Sequence, residues 1–530
     1  MKAWYVNITR ALCVALFALC LPALAYADPW RDAQEANHAI EAWDYVAAKK
    51  HVEALRKNYP ENPSVLFVGG KLDFHLGNYP EAIEQLQMAR QSIPSQAMQA
   101  VDQLLDLVQS TQEVVRNYQT TTSSDGHFEI RHEARDAFLV PYIAQTLEDA
   151  YYAVGFALGY WPPGPIRVEI YPKAHLLSRV SSLPEEAVKT TSTIGLCKYN
   201  KLMVTSPRGT LRGYRWRDTL AHEYVHLVIS QKTHNRVPIW LHEGIAKHTE
   251  NRWRSQEAPS LEPGREDLLA RRIEADRLVS LEEMSPSIAL LPSQEDATVA
   301  YAEVFTVVEY LVMQRGHDAV RRVLDAIRHG RSAEEAVEEI TSLPWQDFER
   351  RWMRWLKNER PRLKTPIDFD DEPVLQGSEE AADGGEFAGV QSPKARDHLK
   401  LGELLRARGF LDAALTEYRR AEAILGPVHP MVQNGAAAIL IEQDENEAVL
   451  EALQDATRWF PSYYVSHVYK AQALNRLARF EEALRETDEA LSINPFDPRV
   501  FEERVRALEG LGETTELVRA KAALQQLQKN

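Results

Sequence analysis

Prolines recur at one fixed interval at both ends of this chain: Pro60 and Pro94, and then Pro427, Pro461 and Pro495, are each spaced by 34 residues. A period of that length describes one helix-turn-helix unit, which cannot bury its apolar face alone, so neighbouring units must stack into a solenoid. Small residues stand where paired helices have to approach closely. They are Gly70, Ala82 and Ala89 before Pro94, Ala437 and Ala456 before Pro461, and Ala471, Ala483 and Ala490 before Pro495. Gly402, Ala414 and Ala421 fill the same places before Pro427, one residue out of register. About two such units fit near residues 30–110 and three or more fit within 395–527.

The segment G-K-L-D-F-H-L-G-N-Y-P-E-A-I-E-Q-L-Q-M-A-R-Q-S-I-P (70–94) resembles the tetratricopeptide repeat, in period more than in its large residues. The resemblance implies an all-α solenoid whose concave side takes a peptide or a protein partner. The same helices could instead brace a central domain or join two subunits.

A chain of 530 residues exceeds one core, and 45% hydrophobic with 26% charged residues is ordinary for a water-soluble globular protein. The formal net charge of −16 argues against nucleic acid as a partner, because phosphate backbones would be repelled. Lys2 and Arg10, an apolar run from Ala11 to Leu21, and Ala25-Tyr26-Ala27 read as a cleaved signal peptide over 1–27. Export to the periplasm or beyond is therefore expected, with no stable membrane insertion after cleavage. Leu12 and Leu19 precede Cys13 and Cys20, which disfavours lipidation. Cleavage would leave Cys197 as the only thiol, so no intrachain disulfide is expected.

Residues 28–119 are read as N-terminal repeats, 120–365 as the largest non-repeat region, 366–394 as an acidic, glycine-rich flexible linker, and 395–530 as the C-terminal solenoid. Within 120–365, H-F-E-I-R-H-E (127–133), I-R-V-E-I-Y (166–171) and K-L-M-V-T (201–205) read as strands. Phe138 to Tyr160 and a stretch near Asp218 read as helices. A mixed sheet followed by helices predicts an α+β domain between two all-α segments.

That region carries T-L-A-H-E-Y-V-H-L-V, with His222, Glu223 and His226. A spacing of four on a helix puts both imidazoles on one face, where they can share a Zn²⁺ at about 2.0–2.1 Å each. Glu223 follows the first histidine directly and is placed to take a proton from water. A third ligand is needed, and P-I-W-L-H-E-G-I-A-K-H-T-E (238–250) follows, with Pro238 able to start a second helix that folds back on the first. Together, H-E-Y-V-H and W-L-H-E-G-I-A resemble the gluzincin metallopeptidases, especially the peptidase-MA-like domain. The resemblance implies that Glu243 is the third zinc ligand. It extends more loosely from about His127 to Leu356, and it likens Lys201–Thr205 to the strand bordering the cleft, where an extended peptide could add as a further strand. It also implies a tyrosine donating to the oxyanion of the tetrahedral intermediate; Tyr301 is the candidate and Tyr310 the reserve.

The expected activity is thus zinc-dependent peptide-bond hydrolysis, an endopeptidase because no glycine-x-methionine-glutamate-asparagine segment for a free amine is present. Where some gluzincins carry an aspartate one turn after the third ligand, Lys247 stands here, and Glu250 could substitute. His242 and His248 are read as non-ligands and Cys197 as a packed thiol without a catalytic partner. Phe348, Trp352 and Trp355 read as a helix docking face rather than a membrane contact. The rival expectation is an envelope scaffold whose repeats act and whose metal site is vestigial or structural.

Overall fold

The computed structural model describes residues 29–365, 374–376, 378 and 387–529. The expected signal peptide and most of the expected linker lie outside the described residues. The first block is helical: α1 (Pro29–Glu41), α2 (Tyr45–Asn58), α3 (Pro63–Leu76), α4 (Tyr79–Ser92) and a longer α5 (Ser95–Val115). Local chemistry sets their ends. The Asp44 carboxylate caps α2 by accepting from the Ala47 amide, Asn62 caps α3 ahead of Pro63, and Gly77 ends α3 in the left-handed region at φ 71°. A Cβ on Gly70 would stand 2.8 Å from Leu86, so the glycine lets α3 and α4 pack closely.

A five-stranded mixed sheet follows, threaded by helices: β1 (Gln119–Thr122), β2 (Phe128–His132), α6 (Val140–Leu158), β3 (Ile166–Tyr171), the short α7 (Leu176–Val180) and α8 (Glu185–Thr190), β4 (Gly195–Lys198) and β5 (Lys201–Thr205). The order is β1-β2-β3-β5-β4, with the two central pairings parallel and both edge pairings antiparallel. The expected strands at 166–171 and 201–205 form as read, whereas β1 and β4 are short and carry no clear alternation. The expected cleft strand at 201–205 is in fact interior and buried throughout; the edge strand is β4, paired through Cys197 opposite Leu202.

Alternation along β3 and β5 sorts the two faces of the sheet. Ile166, Val168, Ile170, Leu202 and Val204 face the main core, while Tyr171 and Met203 join Phe74, Tyr79, Leu86, Leu105 and Val108 of the first helical block. The N-terminal repeats therefore cover one face of the sheet. Their joint is polar at its centre: Lys201 Nζ lies 2.7 Å from Glu169 Oε2, and the Tyr79 hydroxyl donates to Glu169 Oε1 at 2.6 Å.

The other face is covered by α6 and by α9 (Trp216–Thr233), followed by α10 (Ile239–Thr249), α11 (Pro263–Glu274), α12 (Gln294–Arg315), α13 (Ala319–Arg328), α14 (Ala333–Thr341) and α15 (Trp345–Asn358). Phe348 and Trp352 are fully buried on α15, and the Trp352 indole donates to Thr306 Oγ1 at 3.0 Å, as expected of a docking face. No helix among the described residues is long and apolar enough to cross a membrane.

Four helical pairs complete the chain: α16 (Pro393–Ala407) with α17 (Leu411–Leu425), α18 (Pro430–Glu442) with α19 (Asn446–Trp459), α20 (Tyr464–Arg476) with α21 (Phe480–Ile493), and α22 (Pro498–Leu511) with α23 (Thr515–Lys529). They do not hang from a free tether. Val468, Leu491, Val500, Phe501 and Ala520 belong to the same core as α6 and α9. Where the 366–394 interval is described it is docked: the Leu211 amide donates to the Val374 carbonyl at 2.8 Å, and Phe387 and Val390 are buried against the solenoid.

Candidate metal centre

Helix α9 carries the first part of the site, and it is anchored at its start from three sides. Arg215 donates to Glu262 at 2.7 Å, to Glu489 at 3.0 Å and to the Pro461 carbonyl at 2.9 Å, while the Trp216 indole donates to the Leu491 carbonyl at 2.8 Å. The helix ends at His234, which together with Asn235 adopts positive φ (55° and 57°), turning the chain so that α10 begins four residues later. Pro238 precedes the first turn of α10. Gly244 then lies against α12, where a Cβ would fall 2.5 Å from the Val304 carbonyl oxygen. A larger residue there would push the two helices apart and carry Glu243 with them.

The result is a convergence of three ligand-type atoms. His222 Nε2 and His226 Nε2 are 3.0 Å apart, and Glu243 Oε2 lies 3.4 Å from the first and 3.2 Å from the second. A triangle of those sides has its centre about 1.9 Å from each corner, and zinc bonds to such donors run about 2.0–2.1 Å. Oε2 of Glu243 is buried without a well-directed hydrogen bond, with the two imidazole nitrogens at 3.4 and 3.2 Å, an arrangement that a shared cation would satisfy. Burial alone would lower the His222 pKa, but the Glu243 and Glu250 carboxylates override it and raise it to about 10, the effect of two acidic side chains converging on one imidazole. This donor set fits a divalent zinc-type ion.

Each imidazole is also held from behind. Glu250 Oε2 lies 2.9 Å from His222 Nδ1, and Lys247 Nζ lies 2.5 Å from Glu250 Oε1. The carboxylate beside the His222 Nδ1 is thus that of Glu250, and Lys247 pairs with its other oxygen. His242 is not a third imidazole ligand; its ring stacks on that of His226 at 4.6 Å, with Nδ1 facing Nδ1, while Ser230 Oγ lies 3.2 Å from its Nε2. His248 is buried against Phe305, and burial holds its pKa down to about 3.

Glu223 is 5% exposed beside the triad. Burial pushes its carboxyl up, and the two imidazoles only partly oppose this. Its carboxylate meets the edge strand: a Cβ on Gly195 would be 2.5 Å from Glu223 Oε1. Nothing in the sequence marks Gly195, since G-L-C-K offers neither alternation nor a motif. Cys197 is half-buried, and burial, then the Glu223 charge, pushes its thiol well above its usual range, which suits packing and not nucleophilic attack.

Of the two tyrosines, Tyr310 packs in a helix interface. Its ring is buried between Phe348 and Trp355, with centroids at 5.5 and 5.2 Å. Tyr301 is half-buried on α12, one turn before Val304, the residue that Gly244 abuts.

Residues 159–358 match the family model of the Peptidase MA superfamily. Comparison with curated proteins gave no match. Among solved structures, a MamA mutant is 20% identical over 25% of this chain and 77% of that chain, with a TM-score of 0.22. The Cut9-Hcn1 heterotetramer of APC/C is 10% identical over 99% of this chain and 82% of that chain, with a TM-score of 0.27. Yeast Tom70 is 11% identical over 99% of this chain and 93% of that chain, with a TM-score of 0.21. These scores are low, and the helical-repeat assignment rests on the stacked pairs themselves. The central segment, from the end of α6 through α15, is thus the part of the chain that matches the Peptidase MA superfamily, flanked on both sides by repeat-type helical pairs.

Proposed function

We propose that this chain is an exported zinc-dependent endopeptidase. The observation that carries the reading is the convergence of His222 Nε2, His226 Nε2 and Glu243 Oε2 within 3.4 Å of one another, beside the buried Glu223. When bound there, Zn²⁺ supplies a Lewis acid for the scissile carbonyl and acidifies a water molecule. Glu223 takes the proton from the attacking water and returns it to the leaving amine, so one carboxylate serves as base and then as acid. Glu250 fixes the His222 ring, and Tyr301 donates a hydrogen bond to the oxyanion as it forms. Because Gly195 of the edge strand β4 abuts Glu223, a peptide laid along β4 would bring its backbone to the base.

Removal of residues 1–27 on export belongs to the same proposal, as does recruitment of protein partners by the repeats. The test is direct. Glu223→Gln abolishes cleavage across a broad peptide library without changing zinc content, and Glu243→Ala releases one zinc equivalent per chain. Undiminished turnover in the first variant, or unchanged zinc in the second, refutes the assignment. The rival scaffold reading draws on the burial of both repeat blocks against the central region, and any specific cleavage by the wild type that Glu223→Gln loses excludes it.

A further inference from the structure

A second cluster lies at the far edge of the sheet and shares no residue with the first. The turn between β1 and β2 runs Ser123-Ser124-Asp125-Gly126-His127, with Gly126 at φ 80°, a conformation that lets Asp125 and His127 face the same side. Helix α6 presents Glu148 to that turn. One ligand atom from each of Asp125, His127 and Glu148 falls within 4.8 Å of the others.

We propose that Asp125, His127 and Glu148 form a second, structural site for a divalent transition-metal cation of the zinc class, which pins the β1–β2 turn to α6. The argument starts from Glu148. It is only 6% exposed, its Oε2 lies 2.6 Å from His127 Nδ1, and its Oε1 is buried with no hydrogen-bond partner. A buried carboxylate with one empty oxygen and a single imidazole neighbour is costly unless a cation completes it. The surrounding groups hold the donors in place. The His127 ring stacks on Tyr151 at 3.8 Å and 14°, the Tyr152 hydroxyl donates to Asp125 Oδ2 at 3.2 Å, and Ser124 Oγ donates to Oδ1 at 3.1 Å. Orientation of ligands by a further shell of contacts is what tunes metal sites.

One imidazole with two carboxylates selects a zinc-class ion over Ca²⁺ or Mg²⁺, which favour all-oxygen shells. Three protein donors leave the remaining position to water, so binding here is weaker than in a closed four-ligand site. The location gives the ion a mechanical role: α6 touches the metal-centre helix α9 through Thr146, which accepts from Arg217 at 2.7 Å, and through Tyr151, whose ring lies 6.2 Å from that of Tyr224.

The experiment is equilibrium dialysis of the full-length protein against Zn²⁺, followed by elemental analysis. Wild type is expected to retain two ions per chain, and Glu148→Gln, His127→Gln and Glu243→Ala one each. Asp125 is exposed, so Asp125→Asn leaves the fold intact and weakens the second ion by about tenfold or more, a shift readable in a chelator competition. As a second readout, Zn²⁺ at roughly 100 times its Kd raises the melting temperature of Glu243→Ala but not of Glu243→Ala/His127→Gln. A wild type that binds one ion, lost with Glu243→Ala and kept with His127→Gln, overturns this proposal and leaves the peptidase reading standing. Loss of an ion with Glu148→Gln but not with Glu243→Ala supports this site and refutes the other.

Discussion

Gly195→Ala isolates the position of the base from the presence of the metal. The new Cβ would stand 2.5 Å from Glu223 Oε1, 3.0 Å from Thr219 Cγ2 and 3.1 Å from Glu223 Cδ. The closest of these is the far end of a flexible side chain, so the carboxylate yields before the strand does. To restore an ordinary carbon-oxygen contact it must retreat by roughly 0.5–0.9 Å, and a displacement near 1 Å in a reacting group costs about 10²-fold in rate. We therefore expect kcat to fall roughly 10- to 100-fold, equivalent to about 1.4–2.7 kcal/mol of transition-state stabilisation. Stability should hardly move. Gly195 does not adopt positive φ, so alanine fits the backbone and removes some freedom from the unfolded chain, worth about 0.4–1 kcal/mol against the local crowding. The assay is turnover of whichever library peptide the wild type cleaves, measured beside zinc content and melting temperature. Wild-type kcat in Gly195→Ala would refute the placement of Glu223 as base, and a parallel loss of zinc would show that the strand supports the metal instead.

Glu250→Ala removes the carboxylate behind His222 and should weaken zinc about 10- to 100-fold in a chelator competition, with unchanged affinity counting against an orienting role. Tyr301→Phe should lower kcat by about 10²–10³-fold at constant zinc content, whereas Tyr310→Phe, packed between Phe348 and Trp355, should leave it near wild type; equal effects would remove Tyr301 from the mechanism. Lys201→Met strands the buried Glu169 charge and should cost about 3–5 kcal/mol in denaturant titrations, and a neutral result would show that the pair is not needed. Burial alone would raise Glu169, but Lys201 and the hydrogen bonds from Tyr171 and Tyr79 hold it at about 2. Its stabilisation is thus fully present above about pH 4.5 and is lost as pH falls toward 2, which acid unfolding of the wild type can check.

How much of this was legible beforehand depended on the range of the interaction. The histidine pair needs only a four-residue spacing, and β3 and β5 show as short stretches of five or six residues, with Ile166, Val168 and Ile170 alternating along the first and Val204 and Thr205 closing the second. Gly195–Lys198 escaped because four residues of mixed character carry no period; only the partner strand makes them a strand. Tyr310, the reserve to Tyr301, shows the opposite limit. It sits at a plausible place on α12, and nothing local reveals that Phe348 and Trp355 close over it from α15. Asp125 and His127 are neighbours in sequence, but the residue that turns them into a cluster, Glu148, comes from α6 and was invisible as such.

The division into repeats, centre and linker shows the same limit in its energetics. The 34-residue period locates the helical pairs, yet it does not show that pairs with cores of their own also share core with the central region. Tyr79 reaches Glu169 across 90 residues of sequence and Trp216 reaches Leu491 across 275, and both joints bury polar groups whose partners are on the other side. Separating the blocks would take one hydrogen bond from the Glu169 carboxylate, which keeps Lys201, and one from the Leu491 carbonyl, at a cost of about 1–3 kcal/mol each. Sliding or swinging of the repeats against the sheet is therefore disfavoured. Arg215 makes the consequence local: it sits at the first turn of α9, two turns before His222, and its partners Glu489 and Pro461 belong to the C-terminal solenoid. A solenoid that fixes the start of the helix carrying His222 and His226 therefore also fixes where those two imidazoles stand relative to Glu243.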